Sequence, residues 1–294
     1  MFDNVSFKVN NYSIEEFEEL VGRIGEPVSV TNDILKCNWY NLRIVYYPNS
    51  QILKVINSLH KFYNAAIKGL GGFNHDEFTY THLAAVISLL EHTIGRPANE
   101  MRLLGRFEYG LNIPTDSYRP FKDIIERYQS IVTTATNPFY AHFNSRKKPF
   151  GKFCPFTDYT VKCYDKGKQI GLRENILRIE IVHHNVTMTR SILGLKHPTM
   201  GDLLNKDNWA KLYKKVKSTY DSIRMLAVPN GDIDEYNKVL YYADAIVNRD
   251  LKPQIQNILP QLKKAHDRQR DDPDSPHFLV NKSIPQLFQE LINN

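Results

Sequence analysis

A short segment, Lys162–Gln169 (KCYDKGKQ), places one phenol among several cations. Residues 159–164 are rich in β-branched and aromatic side chains, which predicts a strand. On a strand, side chains two apart share a face, so Lys162, Tyr164 and Lys166 are expected to point the same way. Lysines beside a phenol attract a phosphate and favour the phenolate, as a tyrosine nucleophile in phosphodiester cleavage requires. A solvated strand with ordinary surface lysines is the alternative.

Two further segments, 103–113 and 175–185, alternate apolar and polar residues at a period of two. This alternation predicts strands with one apolar and one polar face. Glu108 lies on the first polar face and Glu180 on the second. Their companions are Arg106, Gly110 and Asn112 on the first face, and Arg178, Val182 and His184 on the second.

If these strands are neighbours in one sheet, the two carboxylates converge with Tyr164. Carboxylates together with an amide or imidazole suit Mg²⁺ or Mn²⁺, and such an ion would polarise a phosphodiester. The alternative is that Glu108 and Glu180 form exposed ion pairs with neighbouring arginines, each contributing less than about 1 kcal/mol.

Positive charge is concentrated between residues 141 and 170. The whole chain has a net charge of +6, and this segment holds seven basic residues against two acidic ones. Aromatic side chains are interleaved with the cations, a combination that binds single-stranded nucleic acid. A loop with buried aromatic residues is the alternative. The residues predicted to contact DNA are Lys147, Lys148, Lys152, Lys162, Lys168, Arg106 and Asn112.

The composition is that of a globular protein, with 42% hydrophobic and 24% charged residues in 294. No apolar run is long enough for a membrane helix, and the N-terminus lacks the pattern of a signal peptide. Three dispersed cysteines fit neither a disulfide framework nor a zinc site. We therefore expect a protein of the cytoplasm that does not enter the membrane.

The remaining periodicity predicts a mixture of strands and helices, an α+β chain, in which a helical C-terminal region follows the strands. The expected domains are 1–190, catalytic, and 191–294, helical. The segments that carry this prediction are strands at 6–9, 41–47 and 51–63, helices at 13–21, 79–93 and 121–132, a glycine-rich loop at 69–75, and apolar helical stripes at 212–223, 236–246 and 255–262.

Four segments, NSLHKFYN, RFEYGLNI, KCYDKGKQ and LRIEIVHHN, resemble in order and spacing the replication initiation proteins of small circular-DNA bacteriophages and mobile elements. The resemblance covers residues 40–225 and points to the Bacteroidetes phage branch. That branch is similar to the gene II endonucleases of filamentous phages and, more distantly, to staphylococcal-type plasmid initiators.

The resemblance implies an α+β fold with a central antiparallel sheet and helices packed on one face. It also implies a metal-dependent enzyme that nicks and rejoins one strand of origin DNA through a 5′-phosphotyrosine, in the cytoplasm of a bacterial host. It implies Tyr164 as nucleophile, Glu108 and Glu180 as metal ligands, and His60 and His184 as further ligands. Lys166 would contact the phosphate or donate a proton to the leaving oxygen. Implied partners are single-stranded origin DNA and a host helicase or polymerase.

The sequence departs from many rolling-circle initiators because it has no His–hydrophobic–His motif; His183 and His184 are adjacent. This departure weakens the assignment of histidine ligands. Tyr63, Tyr109 and Tyr159 compete with Tyr164 as nucleophile. Two other functions stay open, a non-catalytic protein that binds origin DNA or RNA, and a structural protein with exposed ion pairs. The oligomeric state is open as well.

Overall fold

The computed structural model describes residues 2–114, 125, 128–133, 136–143, 147–171, 176–225 and 276–294. The strands are β1 (Phe2–Asn10), β2 (Ser29–Thr31), β3 (Ile34–Trp39), β4 (Leu42–Tyr47), β5 (Ile52–Ser58), β6 (Arg102–Pro114), β7 (Tyr128–Val132), β8 (Thr136–Pro138), β9 (Tyr140–Phe143), β10 (Pro149–Pro155), β11 (Tyr159–Asp165), β12 (Ile176–His183) and β13 (Ile223–Met225). The helices are α1 (Ile14–Ile24), α2 (Leu59–Phe62), α3 (Tyr80–Ile94), α4 (Lys166–Ile170), α5 (Val186–Leu193), α6 (Lys206–Asp221) and α7 (Pro276–Asn293).

Ten strands form one antiparallel sheet in the order β2-β3-β4-β5-β1-β6-β12-β11-β10-β9, and β13-β7-β8 form a second, small sheet. The prediction of an α+β fold with an antiparallel sheet and helices is confirmed. The three strands predicted to carry chemistry, β6, β11 and β12, all belong to the large sheet. In that order β12 lies between β6 and β11.

The chain divides into two compact units. The first comprises Met1–Gly110, Ile181–Lys215 and Phe288–Asn294, and the second Leu111–Glu180 and Val216–Leu287. The division falls inside β6 and inside β12, so each of these strands contributes residues to both units. The domains expected from the sequence, 1–190 and 191–294, stay a prediction.

In the first unit, one face of the sheet is apolar and packs on helices. Phe7, Tyr46 and Val55 are buried on this face, and Phe17 of α1 stacks on Tyr46 with ring centroids 4.8 Å apart. Capping explains where the helices begin: the Ser13 hydroxyl accepts from the Glu16 amide, and the Glu16 carboxylate accepts from the Ser13 amide. This capping box was predicted from the sequence.

In the second unit, β9, β10 and β11 form a meander that holds Tyr164. The alternative of a loop with buried aromatic residues between 141 and 170 is wrong for most of the described part of this segment, which is strand and includes the strand predicted at 159–164. Aromatic residues at alternate positions, such as Phe150 and Tyr164, pack across neighbouring strands of this meander instead of being splayed in a loop.

Two predicted elements end or change type. The strand expected at 51–63 ends at Ser58, because the Ser58 hydroxyl caps α2 by accepting from the Lys61 amide. The helix expected at 121–132 is wrong at Tyr128–Val132, which pairs as β7 with both β8 and β13. Residues 121–124 and 126–127 lie outside the described residues, as do the predicted helical stripes at 236–246 and 255–262.

Among the described helices, none is long and apolar enough to cross a membrane.

Candidate active site

Three carboxylates from three neighbouring strands form a buried group. Asp3 of β1, Glu108 of β6 and Glu180 of β12 each offer one oxygen, and these oxygens all lie within 4.8 Å of one another. The exposed fractions are only 5%, 2% and 2%. Carboxylate oxygens are the donors preferred by Mg²⁺, Mn²⁺ and Ca²⁺, so the donor set fits a hard divalent cation. We call Asp3, Glu108 and Glu180 the acidic cluster.

Asp3 was not predicted from the sequence, although it stands in a strand. Regular alternation places Asp3 on the same side as Val5 and Phe7, which face the core. The pairing of β1 with β6 is irregular between Phe2 and Val5, and such an irregularity reverses the side to which a residue points. The signal available in the sequence was an acidic residue at position 3, where the alternate positions 5, 7 and 9 are apolar.

Glu108 is held by contacts within the first unit. Arg106 lies two residues away on the same strand and donates two hydrogen bonds to Glu108 Oε1, at 3.0 Å from Nε and 2.7 Å from the terminal nitrogen. The Asn4 amide donates to Oε2. Asn74 does the same for Asp3, whose Oδ2 accepts at 2.6 Å. These donors fix the orientations of the carboxylates, as residues that hydrogen-bond to metal ligands do in metal sites.

Glu180 connects the acidic cluster to the phenol of Tyr164. Its Oε2 accepts from the Lys162 ammonium at 3.3 Å and from the Tyr164 hydroxyl at 3.5 Å. Oε1 lies 3.2 Å from Arg178 Nε but accepts no hydrogen bond within the described part of the chain. Since Arg178 and Glu180 are both buried, the interpretation of this pair as an exposed ion pair is wrong.

Tyr164 is seated between aromatic side chains of the meander and is 4% exposed. The rings of Phe150 and His142 meet its ring edge-to-face, with centroids 5.4 and 6.0 Å away. Burial lowers the pKa of His142, the Lys162 charge lowers it further, and Glu180 opposes both. His142, which the sequence did not single out, therefore presents a neutral imidazole beside the phenol at neutral pH.

A glycine on β10 makes room for Tyr164. Gly151 is paired with Tyr164 across the strands, and a Cβ added at Gly151 would meet the Tyr164 Cβ at 2.2 Å and the Cys163 carbonyl at 2.7 Å. Gly151→Ala is expected to push β11 aside and to cost about 1–3 kcal/mol of unfolding free energy. Urea denaturation monitored by circular dichroism measures this loss.

Gly22→Ala is the matched control for that substitution. Gly22 lies in α1, and nothing stands within 4 Å of the Cβ that alanine adds there. Alanine also favours the helix, so the control protein should be as stable as the wild type or slightly more stable. Equal stability of the Gly151→Ala and Gly22→Ala proteins would contradict the packing described for Tyr164.

Lys166 lies after the strand and not on it. The predicted alternation of Lys162, Tyr164 and Lys166 along one strand is wrong, because Asp165 caps α4 by accepting from the Lys168 amide and Lys166 becomes the first residue of that helix. Lys166 is nevertheless buried, and its ammonium lies 6.0 Å from the centre of the Tyr164 ring and donates to Gln169 Oε1 at 2.8 Å.

His60 lies on α2 and makes a separate, partly buried contact. Its Nε2 is 2.7 Å from Asp76 Oδ1, and its ring stacks on Phe78. Burial raises the pKa of Asp76, but hydrogen bonds from His60, Asn64 and Lys68 outweigh burial and lower it. The acidic cluster does not include His60 or the exposed His184.

His183, beside the predicted ligand His184, is a buried residue of β12. Its Nδ1 lies 2.8 Å from the Thr189 hydroxyl and its Nε2 lies 3.3 Å from the Tyr109 hydroxyl. Burial, with smaller contributions from Lys215 and His184, lowers the pKa of His183 to about 3. The folded protein therefore holds this imidazole neutral.

This pKa predicts a loss of stability on acidification. The unfolded chain binds a proton at His183 below about pH 6.5, whereas the folded chain does not until about pH 3. Stability is therefore complete above pH 6.5 and falls between pH 6.5 and 3, by at most about 1.4 kcal/mol per pH unit from this group. Urea unfolding at pH 7, 6, 5 and 4 should show a smaller slope for His183→Gln than for the wild type. Identical slopes would contradict the prediction.

The residues predicted to contact DNA are spread over several elements. Lys147, Lys148 and Lys168 are exposed, and the Arg106 side chain is 60% exposed although it holds Glu108. Asn112 is half-buried on β6. Lys152 donates to the Tyr128 carbonyl at 2.7 Å, which ties it to the small sheet. Of these residues, Lys162 lies 3.3 Å from Glu180 and Arg106 lies 2.7 Å from Glu108, so each contacts a member of the acidic cluster.

Solved structures of known proteins include one that is similar to this chain. No protein-family model matches the sequence, and no curated protein matches it. The chain is similar to a structure of a rolling circle replication initiator protein from Geobacillus stearothermophilus, with a TM-score of 0.43 and 10% sequence identity. The similarity covers 84% of this chain and 95% of that one.

Proposed function

We propose that this protein is a rolling-circle replication initiator, which nicks and rejoins single-stranded DNA by means of Tyr164 and a divalent cation. The observation that carries the proposal is the contact of Tyr164 with Glu180, a member of a buried group of three carboxylates. A phenol next to oxygen ligands for a hard cation is an arrangement for phosphodiester attack.

Asp3, Glu108 and Glu180 would hold Mg²⁺ or Mn²⁺, which when bound would polarise the phosphodiester and neutralise charge that develops on its oxygens. The histidines predicted as ligands, His60 and His184, stay a prediction. The part of the chain that the structure describes supplies three acidic ligands without them.

The protein's own residues supply the remaining steps. The Tyr164 oxygen forms a bond to phosphorus, and its proton passes to Glu180, which already accepts its hydrogen bond. The bond from phosphorus to the 3′-oxygen breaks, and Lys166 donates a proton to that oxygen. The 5′-phosphate stays on the tyrosine. Attack by a free 3′-hydroxyl on this phosphotyrosine reverses these steps and rejoins the strand.

Lys162 and Arg178 balance the carboxylate charge near the phenol. Both lie against Glu180, at 3.3 and 3.2 Å. A protein that only binds DNA gains nothing from three buried carboxylates close together, since they repel phosphates. The acidic cluster therefore favours the nicking enzyme over the non-catalytic origin-DNA- or RNA-binding protein on the same scaffold.

The test is covalent capture of DNA. The protein is incubated with labelled single-stranded oligonucleotides and Mn²⁺, denatured, and examined for label that stays attached to the protein. We expect an adduct that chelation by EDTA prevents and that peptide mass spectrometry maps to Tyr164. Tight, salt-sensitive binding with no adduct for any oligonucleotide and metal would favour the non-catalytic binding protein.

The proposed function also implies particular partners and a cellular location. Such an enzyme acts on the origin DNA of a phage or mobile element in the cytoplasm of its bacterial host. It would work with a host helicase or polymerase that extends the 3′-hydroxyl left by the nick.

A further inference from the structure

Four cations line up across the face of the sheet opposite the packed helices in the first unit. Lys36 is paired with Val45, Val45 with Lys54, Lys54 with Lys8, and Lys8 with Arg102. Directly paired residues of an antiparallel sheet point to the same side. The row crosses β3, β4, β5, β1 and β6, a width of about 19 Å at a strand spacing of about 4.8 Å.

This row is electrostatically unfavourable for the protein alone. Like charges directly opposite each other destabilise a sheet, and Lys8 faces Lys54 on one side and Arg102 on the other. Within the described residues, none of the four cations forms an ion pair. Glu26 lines a groove of about 400 Å³ together with Lys36, so some negative charge lies near that end of the row.

The row shares its side of the sheet with residues that hold Glu108. Lys8, Ser6 and Asn4 alternate along β1 and point to the same side. The Ser6 hydroxyl donates to the Arg106 carbonyl, and the Asn4 amide donates to Glu108. Asn4 and Lys8 are four residues apart, which is about 13 Å along a strand.

We propose that Lys8, Lys36, Lys54 and Arg102 form a binding track for the phosphodiester backbone of single-stranded DNA, on the side of the sheet that carries Glu108. The identity of the polyanion rests on the proposed function, whereas its charge follows from the row itself. Tyr47 lies two residues beyond Val45 on the same side of β4, where an aromatic ring beside cations favours unpaired bases.

The test measures binding of a single-stranded oligonucleotide of 30 nucleotides without divalent cation, so that no cleavage occurs. Affinity is followed against salt concentration for the wild type and for Lys8→Gln/Lys54→Gln. Each lost phosphate contact lowers the slope of log affinity against log salt by about 0.7. We expect the slope to fall by about 1.4 and the affinity at low salt to fall at least about tenfold.

The matched control is Lys214→Gln/Lys282→Gln, which removes the same charge from two exposed positions outside the row. Its slope should equal that of the wild type. An unchanged slope in Lys8→Gln/Lys54→Gln, or an equal loss in the control, would overturn the track. Binding of duplex DNA as tight as that of the single strand would overturn its assignment to unpaired DNA.

A second variant separates binding from folding. Lys54→Glu replaces a like-charge pair with an opposite-charge pair opposite Lys8, so it should raise the urea midpoint of unfolding while weakening oligonucleotide binding. A lowered midpoint would show that the row serves the fold and would overturn the proposal. Wild-type protein that binds through the row but forms no covalent adduct would instead refute the nicking function and leave the track standing.

Discussion

Tyr164→Phe is expected to abolish the covalent protein–DNA adduct while leaving single-strand affinity close to that of the wild type. Phenylalanine keeps the ring and therefore its contacts with Phe150 and His142. It lacks only the oxygen that would attack phosphorus in the proposed reaction and that donates to Glu180. Loss of a nucleophile costs at least about a thousandfold in rate. Retention of label on the denatured protein measures the adduct, and fluorescence anisotropy measures binding.

Tyr159→Phe is the control for that result. Tyr159 lies on the same strand, stacks on Phe156 with ring centroids 4.3 Å apart, and has a pKa raised to about 12 by burial. From the sequence alone, Tyr159 was an alternative candidate for the nucleophile. Its substitution should leave the adduct yield unchanged. An undiminished adduct in Tyr164→Phe, or a lost one in Tyr159→Phe, would assign the nucleophile to another residue.

Glu108→Gln is expected to remove divalent-metal binding and strand cleavage together. Glutamine keeps the shape and can still accept from Arg106, but it deprives the acidic cluster of one charge and one strong ligand. Loss of an outer partner of a metal site costs roughly 10- to 100-fold in affinity or activity, and loss of a direct ligand should cost more. The cleavage rate in Mn²⁺ measures the loss of strand cleavage.

Metal binding itself is measured by thermal unfolding, without DNA. A ligand at a hundred times its dissociation constant stabilises the folded protein by about 2.7 kcal/mol. Mn²⁺ should therefore raise the melting temperature of the wild type and of the control Glu100→Gln, whose side chain is 49% exposed and pairs with Arg96. Glu108→Gln should show no such rise. An equal rise in all three proteins would place the cation elsewhere.

The strands that carry Glu108, Glu180 and Tyr164 could be predicted because their alternation is local. A period of two is decided by nearest neighbours along the chain, and β6 and β12 have bounds close to those expected. The burial of Glu180 was not predictable in this way. All eight residues of β12 are buried, and whether both faces of a strand are covered depends on distant segments.

Asp3 marks the limit of reasoning from spacing. The irregular pairing of β1 with β6 depends on how two strands about a hundred residues apart in sequence meet, and no local pattern encodes it. The short helix α4 was missed for a different reason. Lys166 and Gly167 favour a turn, and only the hydrogen bond from the Lys168 amide to Asp165 reveals that the turn continues as a helix.

The three carboxylates stand at positions 3, 108 and 180 of the chain, and this separation has a biological consequence. Contacts between residues so far apart form late, after the intervening segments have been ordered. A chain still emerging from the ribosome, or one that has lost a central strand, cannot gather the three oxygens. Under the proposed function, an incomplete or truncated chain would lack the metal site and so could not cut DNA.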